Sequence, residues 1–414
     1  MSVSNFKLRS SLDPKWIEHE GKDFLYLQDP LMLSENSILI PAPIVPLLRI
    51  LDGTKGLNEL KSTLQASVGL DLSTQKIKDL LDQLDRAFLL DNSNLKQIIV
   101  KTTEEYRKPS SRLMMHSGKV YPEDKVKAME MILDFCEKNS MNSPPLDTGT
   151  LVGILSPHID FARGGDTYAA TWQAAALSLQ DIELVIIFGT DHYGGESTIT
   201  STLQNYATPF GVINTDIELV EKLVKKLGPD AILGEELHHR SEHSIELASL
   251  WMHGFMKDIS FKMLPILCGS FYKYIENGGE PDKSPLIDET INILSEIIHE
   301  RRTLIVAAGD LAHVGPVFGD NTQIVPAARH SLGLHDDESI AAICEGDADL
   351  FLQISKLEAD KRRICGLSPI YMMLKTIERA YNKKPKGLSM GYDQCPADDN
   401  GGSLVSITGA MLYV

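Results

Sequence analysis

The stretch LVIIFGTDHYGG, Leu184–Gly195, decides how this chain folds. It opens on an uninterrupted apolar run, breaks at Gly189 and then sets Asp191 beside His192. Such a run, closed by a glycine, reads as a strand buried on both faces, which is how strands sit in a parallel sheet covered by helices. The arrangement recurs. LVGILSPH ends on His158, TLIVAAGDLAH carries Asp310 and His313, and MLPIL is a further apolar run of the same kind. Longer helical patterns separate these runs, the alternation expected of an α/β domain.

In open α/β sheets, ligands bind where loops diverge at the carboxyl ends of the strands. If the three strands that end in histidine are neighbours, spaced about 4.8 Å apart, their terminal side chains can converge on one point. Taken singly, a histidine after a strand more often just bonds a loop carbonyl; recurrence is what argues for a shared site. Two further motifs join it. In HHRSEHSIE, Glu242-His243 precedes an apolar helix, and in RRICGLSPI, Cys365 stands before another. A helix N-terminus favours the thiolate, the form that binds metals and attacks electrophiles. His158, His192, His243, His313 with Asp310, and Cys365 are therefore candidates for metal ligation or acid–base work. Cys136, Cys268 and Cys344 lie in apolar patterns and are expected in the core.

The chain has 414 residues, 43% of them hydrophobic, enough for two or three domains. Lys+Arg number 40 against 57 Asp+Glu, a net charge of -17, so phosphate backbones are repelled and nucleic acid is not an expected partner. MSVSNFKLRSSLDPK has no apolar core of signal-peptide length, and no apolar run approaches the ~20 residues of a membrane span. A cytoplasmic protein without membrane association is expected. Five scattered cysteines fit a reducing compartment rather than a disulfide framework.

Residues 1–100 read as a separate small domain. DFLYLQDPLML alternates around Asp29-Pro30 as a hairpin would; Pro46 marks a helix start and Gly53 its end. A further helix follows, then a third with Ser73 as N-cap and Ile77, Leu80, Leu81, Leu84 and Phe88 on one face. Hairpin plus three helices predicts a winged-helix-like unit. It carries 11 basic against 13 acidic residues, and its third helix sets Lys76, Lys78 and Arg86 against Asp79, Asp82 and Asp85, so it offers no stripe for DNA. Residues 101–115, polar and holding Pro109, are expected to form a flexible linker to an α/β domain over 116–414. That domain opens with YPEDKVKAMEMILDFCEKN, a capped amphipathic helix.

Two resemblances attach to these motifs. "LxDP", "PxxxLLxxLDGxxxxxEL" and "LLDQLDRAFLLD" resemble the PqqD-like peptide chaperones that accompany radical-SAM enzymes, which implies a peptide or protein partner for residues 1–100. From about 106 to 414, the ordered set SPHIDFARGG, IIFGTDH, TPFGVINTD, EHSIELASLW, LPILCGS, GDLAHVG, ICGLSPIYMML and GYDQC…SLVSITGAMLYV resembles the Memo family, also called AmmeMemoRadiSam system protein B. That resemblance implies a three-layer α/β/α sandwich like the class III extradiol dioxygenases. It implies a metal site of His158, His192 and Cys365, with His243, Asp310 and His313 as polar, catalytic neighbours. Asp310 is expected to orient His313. Where the family often has PHAGY this chain has PHIDF, which adds the carboxylate of Asp160; His192 is followed by Tyr193 and the DxxH motif by Val314.

Dioxygenases of the related fold hold iron(II) with two histidines and a carboxylate. A thiolate in place of the carboxylate keeps iron(II) as the expected ion and admits copper(I) or zinc. The expected function is a metal-dependent redox or dioxygenase-like activity. The alternatives are a non-catalytic peptide- or protein-binding cleft, and a hydrolase built on Cys365 with a histidine and an aspartate.

Overall fold

The computed structural model of the chain describes residues 6–12, 14–139, 149–195 and 197–414. The reading of the first five residues lies outside them. The chain divides into two compact units, Met1–Pro109 and Ser110–Val414.

In the first unit, β1 (Lys15–His19), β2 (Lys22–Leu27) and β3 (Ile38–Pro41) form an antiparallel sheet, followed by α1 (Pro46–Arg49), α2 (Leu57–Val68), α3 (Thr74–Arg86) and α4 (Ser93–Arg107). The chain does reverse around Asp29-Pro30, through the loop that joins β2 to the antiparallel β3, and a tighter hairpin precedes it. That hairpin turns at Glu20-Gly21, both with positive φ, the two-residue loop that matches strand twist. Asp29 itself is buried, accepting from Arg9 at 2.6 Å and from the Leu31 N–H at 3.1 Å. Pro46 opens α1, and the Ser73 hydroxyl caps α3 by accepting from the Lys76 N–H. Ile77, Leu81 and Leu84 are buried, with Leu80 partly so. The expected linker is divided. With no glycine or proline before Pro109, α4 runs on to Arg107, while Arg112 is buried in the second unit.

The second unit contains α5 (Lys125–Lys138), β4 (Leu151–Ser156), α6 (Phe161–Ala175), β5 (Leu184–Thr190), β6 (Ile199–Ser201), β7 (Tyr206–Thr208), β8 (Gly211–Thr215), α7 (Ile217–Leu227), α8 (Pro229–Leu233), α9 (His243–Met256) and β9 (Lys262–Cys268). It continues with α10 (Tyr272–Glu276), α11 (Pro285–Glu300), β10 (Thr303–Ala308), β11 (His313–Val314), α12 (Pro326–Cys344), α13 (Ala348–Leu357), α14 (Leu367–Tyr381), β12 (Lys386–Pro396) and β13 (Leu404–Tyr413). The ten-stranded sheet runs β11-β13-β4-β10-β5-β9-β8-β7, with β12 on β13 and β6 on β9. Strands β4, β10, β5, β9 and β8 are mutually parallel.

Every residue of β4, β5 and β10 is buried, because helices cover both faces. Leu184, Ile186 and Phe188 pack with α7, α11 and α14 on one side; Val185 and Ile187 pack with α5, α6 and α9 on the other. This is a three-layer α/β/α sandwich. Strand β10 lies between β4 and β5, so the three strands that end in histidine are adjacent. Among the described residues no helix is long and apolar enough to cross a membrane.

Candidate metal centre

His158 follows β4, His192 follows β5, and Asp310 and His313 follow β10. Cys365 arrives from the loop before α14, and His243 opens α9. One donor atom each from His158, His192 and Cys365 lies within 4.8 Å of the others. The Cys365 Sγ is 3.2 Å from His158 Nε2. His158 Nδ1 donates to the Ala308 carbonyl at 3.0 Å, and His192 Nδ1 lies 3.0 Å from Glu242 Oε1. Each imidazole is therefore pinned through Nδ1, which fixes the tautomer and leaves Nε2 for the centre.

The electrostatics fit a positive charge at that centre. Burial alone would push the Cys365 thiol up; the His158 and His313 charges and hydrogen bonds from His158 and His192 outweigh it and hold the thiol well below its ordinary range. Conversely, burial would lower His158, but Cys365 and Asp310 bring it up to about 9, and burial is likewise outweighed at His192 by Glu242 and Cys365. Protons on the two imidazoles thus balance the thiolate, and a cation could replace them. Burial raises Cys136, Cys268, Cys344 and Cys395. Cys136 and Cys268 are core residues as expected, whereas Cys344 is only partly buried.

Glu242, to which sequence reasoning gave no role, organises one side of the site. Its Oε2 accepts from the His192 N–H, and its Oε1 accepts from the N–H groups of His243 and Ser244 at the start of α9. The same Oε1 is 3.0 Å from His243 Nδ1. The His243 ring stacks on that of His192 at 4.6 Å, and burial lowers its pKa, so it is neutral.

Asp310 does not orient His313. Its Oδ1 accepts from the His158 N–H at 2.8 Å and its Oδ2 is 3.7 Å from His158 Nε2, while His313 Nδ1 donates to the Leu311 carbonyl at 3.2 Å. The two-residue step from Leu311 to His313 lets the ring fold back onto its own loop. Asp160, at the rim of the cavity described below, caps α6 and bonds Arg163 Nε at 2.6 Å. Tyr193 bonds Ser241 at 2.8 Å.

A cavity of about 510 Å³ opens on one side of the candidate ligands, lined by His158, His192, His243, His313 and the apolar Leu247 and Phe318. A second, of about 230 Å³, reaches His192 and Cys365 and is walled by Phe271 and Tyr272. His116 also lines the larger space, although sequence reasoning passed over it at the edge of the linker. Only the i, i+4 spacing of Glu242 and Glu246 in EHSIE, which puts both carboxylates on one helix face, could have pointed there.

Fold and site together define a class: a three-layer α/β domain that gathers two imidazoles and a thiolate at the ends of its parallel strands. The Memo-like protein family profile matches residues 112–408, and the chain belongs to that family. A MEMO1 family protein of Aquifex aeolicus is 24% identical over 392 residues, covering 94% of this chain and 96% of its own, and so spans both units. One from Thermus thermophilus is 24% identical over 331 residues, 79% of this chain and 91% of its own. A third, from Methanopyrus kandleri, is 28% identical over 207 residues, 48% and 68%. The crystal structure of an uncharacterized Escherichia coli K12 protein aligns with 63% of this chain and 99% of its own at 15% identity and a TM-score of 0.38.

Proposed function

We propose that this Memo-family chain binds one first-row transition ion through His158, His192 and Cys365, iron(II) foremost with copper(I) or zinc as alternatives. The larger cavity then admits a small substrate for redox chemistry of the dioxygenase type. The observation that carries this reading is the convergence of three donor atoms within 4.8 Å, two of them on imidazoles whose other nitrogen is already bonded. Borderline-soft N and S donors suit these ions.

A resident ion would supply Lewis acidity, and iron or copper would add one-electron transfer. The protein's own groups do the rest. Neutral His243, its Nδ1 held by Glu242, offers Nε2 as a proton acceptor beside the ligand set. His313, its Nδ1 on the Leu311 carbonyl, offers a second. Phe318 packs on the His313 ring at 5.0 Å and, with Leu247, keeps water from that wall.

A thiol hydrolase fits less well. It needs donors for an oxyanion near the sulfur, whereas the Asp310 carbonyl, an acceptor, sits 3.6 Å from Sγ. Anaerobic iron(II) and copper(I) titration of the wild type and of His158→Ala, His192→Ala and Cys365→Ser, read by elemental analysis, tests the proposal. The expected result is one ion per wild-type chain and most of it lost in each variant; equal retention in all four proteins would overturn it.

A second reading concerns the N-terminal unit. A groove of about 370 Å³ runs between β3 and α3, lined by the apolar Leu39, Ile44, Leu72 and Leu80 and by Lys76, Asp79 and Gln83 of α3. Because β3 is an edge strand, an extended peptide can add to it while filling the groove. We propose that this PqqD-like unit takes a peptide or partner protein, a radical-SAM enzyme being the company its resemblance implies.

A further inference from the structure

The segment that opens the second unit is tied down by one buried carboxylate. Glu246, one turn along α9 from Glu242, pairs with the Arg112 guanidinium and accepts from the Met115 N–H at 3.2 Å, the His116 N–H at 2.8 Å and the Tyr121 hydroxyl at 2.6 Å. This fixes His116 in the wall of the larger cavity, its ring 5.8 Å from that of His243. The His116 Nδ1 is shut off from solvent, 3.4 Å from Glu246 Oε2, while 26% of the side chain stays exposed. The open part of the ring is therefore the edge that carries Nε2. Two carboxylates one turn apart on α9 thus stand behind the cavity wall: Glu242 is 3.0 Å from His243 Nδ1, and Glu246 accepts from the His116 backbone N–H.

We propose that His116 is a further ligand-binding residue of this cavity, and that the ligand is a compact, largely apolar molecule carrying a hydroxyl whose hydrogen is donated to His116 Nε2. The inference rests on the reading of the cavity as the place where a substrate meets the metal. With Nδ1 facing a carboxylate, Nδ1 carries the hydrogen and Nε2 presents a lone pair. Of the cavity's two carboxylates, Asp160 is paired with Arg163 and Asp310 accepts from the His158 N–H. The rest of the wall is mixed: Val120, Ile159, Leu247, Val317, Phe318 and Val405 give it an apolar side, and His243, His313 and Arg163 a polar one.

The test uses the full chain loaded with zinc, and equilibrium dialysis of phenol against toluene, two probes of one shape that differ in the hydroxyl. Wild type should hold phenol tighter than toluene by on the order of tenfold, the worth of one neutral hydrogen bond. His116→Phe keeps the ring's shape and should lower that preference by about threefold or more, with His243 and His313 still offering acceptors elsewhere in the wall, while His116→Gln, which restores an acceptor, should retain most of it. Zinc content and thermal midpoint should be unchanged in both. A phenol-to-toluene ratio that His116→Phe leaves at the wild-type value overturns the inference. Failure of the metal reading shows elsewhere, as zinc retained by Cys365→Ser.

Discussion

Cys365 and His158 are 207 residues apart in sequence and 3.2 Å apart in space, and the partners of each side chain set its chemistry. Because Cys365 alone among the five thiols is held below its ordinary range, the metal-free protein should be alkylated there first at neutral pH. Iodoacetamide labelling read by peptide mass spectrometry should find Cys365 modified well ahead of the other four, and bound metal should slow it. Glu246 makes a separate prediction. Burial would raise its carboxyl, but Arg112, His116 and Tyr121 bring it from 4.5 down to about 2. A carboxylate with a depressed folded pKa stabilises fully above its unfolded value and loses that contribution as pH falls through the folded one. Roughly 3 kcal/mol should therefore disappear between pH 4.5 and 2. Urea midpoints across that window should fall steeply in the wild type. In Glu246→Gln they should start lower at pH 7, with Arg112 left unpaired, and change less on acidification.

At the scale of elements, the loop after β10 and the loop before α14 meet backbone to backbone. A Cβ at Gly366 would lie 2.6 Å from the Asp310 carbonyl oxygen, and one at Gly309 would lie 2.6 Å from the Gly366 Cα. The Gly366 N–H donates to that same carbonyl at 2.9 Å. Gly366→Ala should force the loops apart, costing about 1–3 kcal/mol and displacing Cys365 enough to weaken metal binding about 10–100-fold. Calorimetric unfolding and competitive chelator titration would measure both. The apolar runs of β4, β5 and β10 were legible because burial on both faces leaves an uninterrupted hydrophobic signal, and the histidines were legible because they end those runs. Other features were not. The roles of Glu242 and Asp310 depend on which backbone N–H each carboxylate meets, a matter of loop geometry with no periodicity. The tight turn at Glu20-Gly21 was passed over beside the more conspicuous Asp29-Pro30, and the burial of Asp29 went unread because a distant partner such as Arg9 leaves no local trace.

For the whole molecule, the two units have separate hydrophobic cores, and all candidate ligands lie in the second. A fragment spanning Ser110–Val414 should therefore bind metal with the stoichiometry of the full chain, as elemental analysis after gel filtration would show. Within that unit the order of strands matters more than their number. Strand β10 must insert between β4 and β5, and β13 must pair with β4 before the sheet is complete. During synthesis, then, the first histidine leaves the ribosome long before the sulfur that would complete the proposed site. Neither a stalled chain nor a degraded N-terminal piece can hold the ion by this site. On the proposed reading, metal capture would be confined to molecules that have finished folding, and a half-made copy would carry no loosely held ion through the cell.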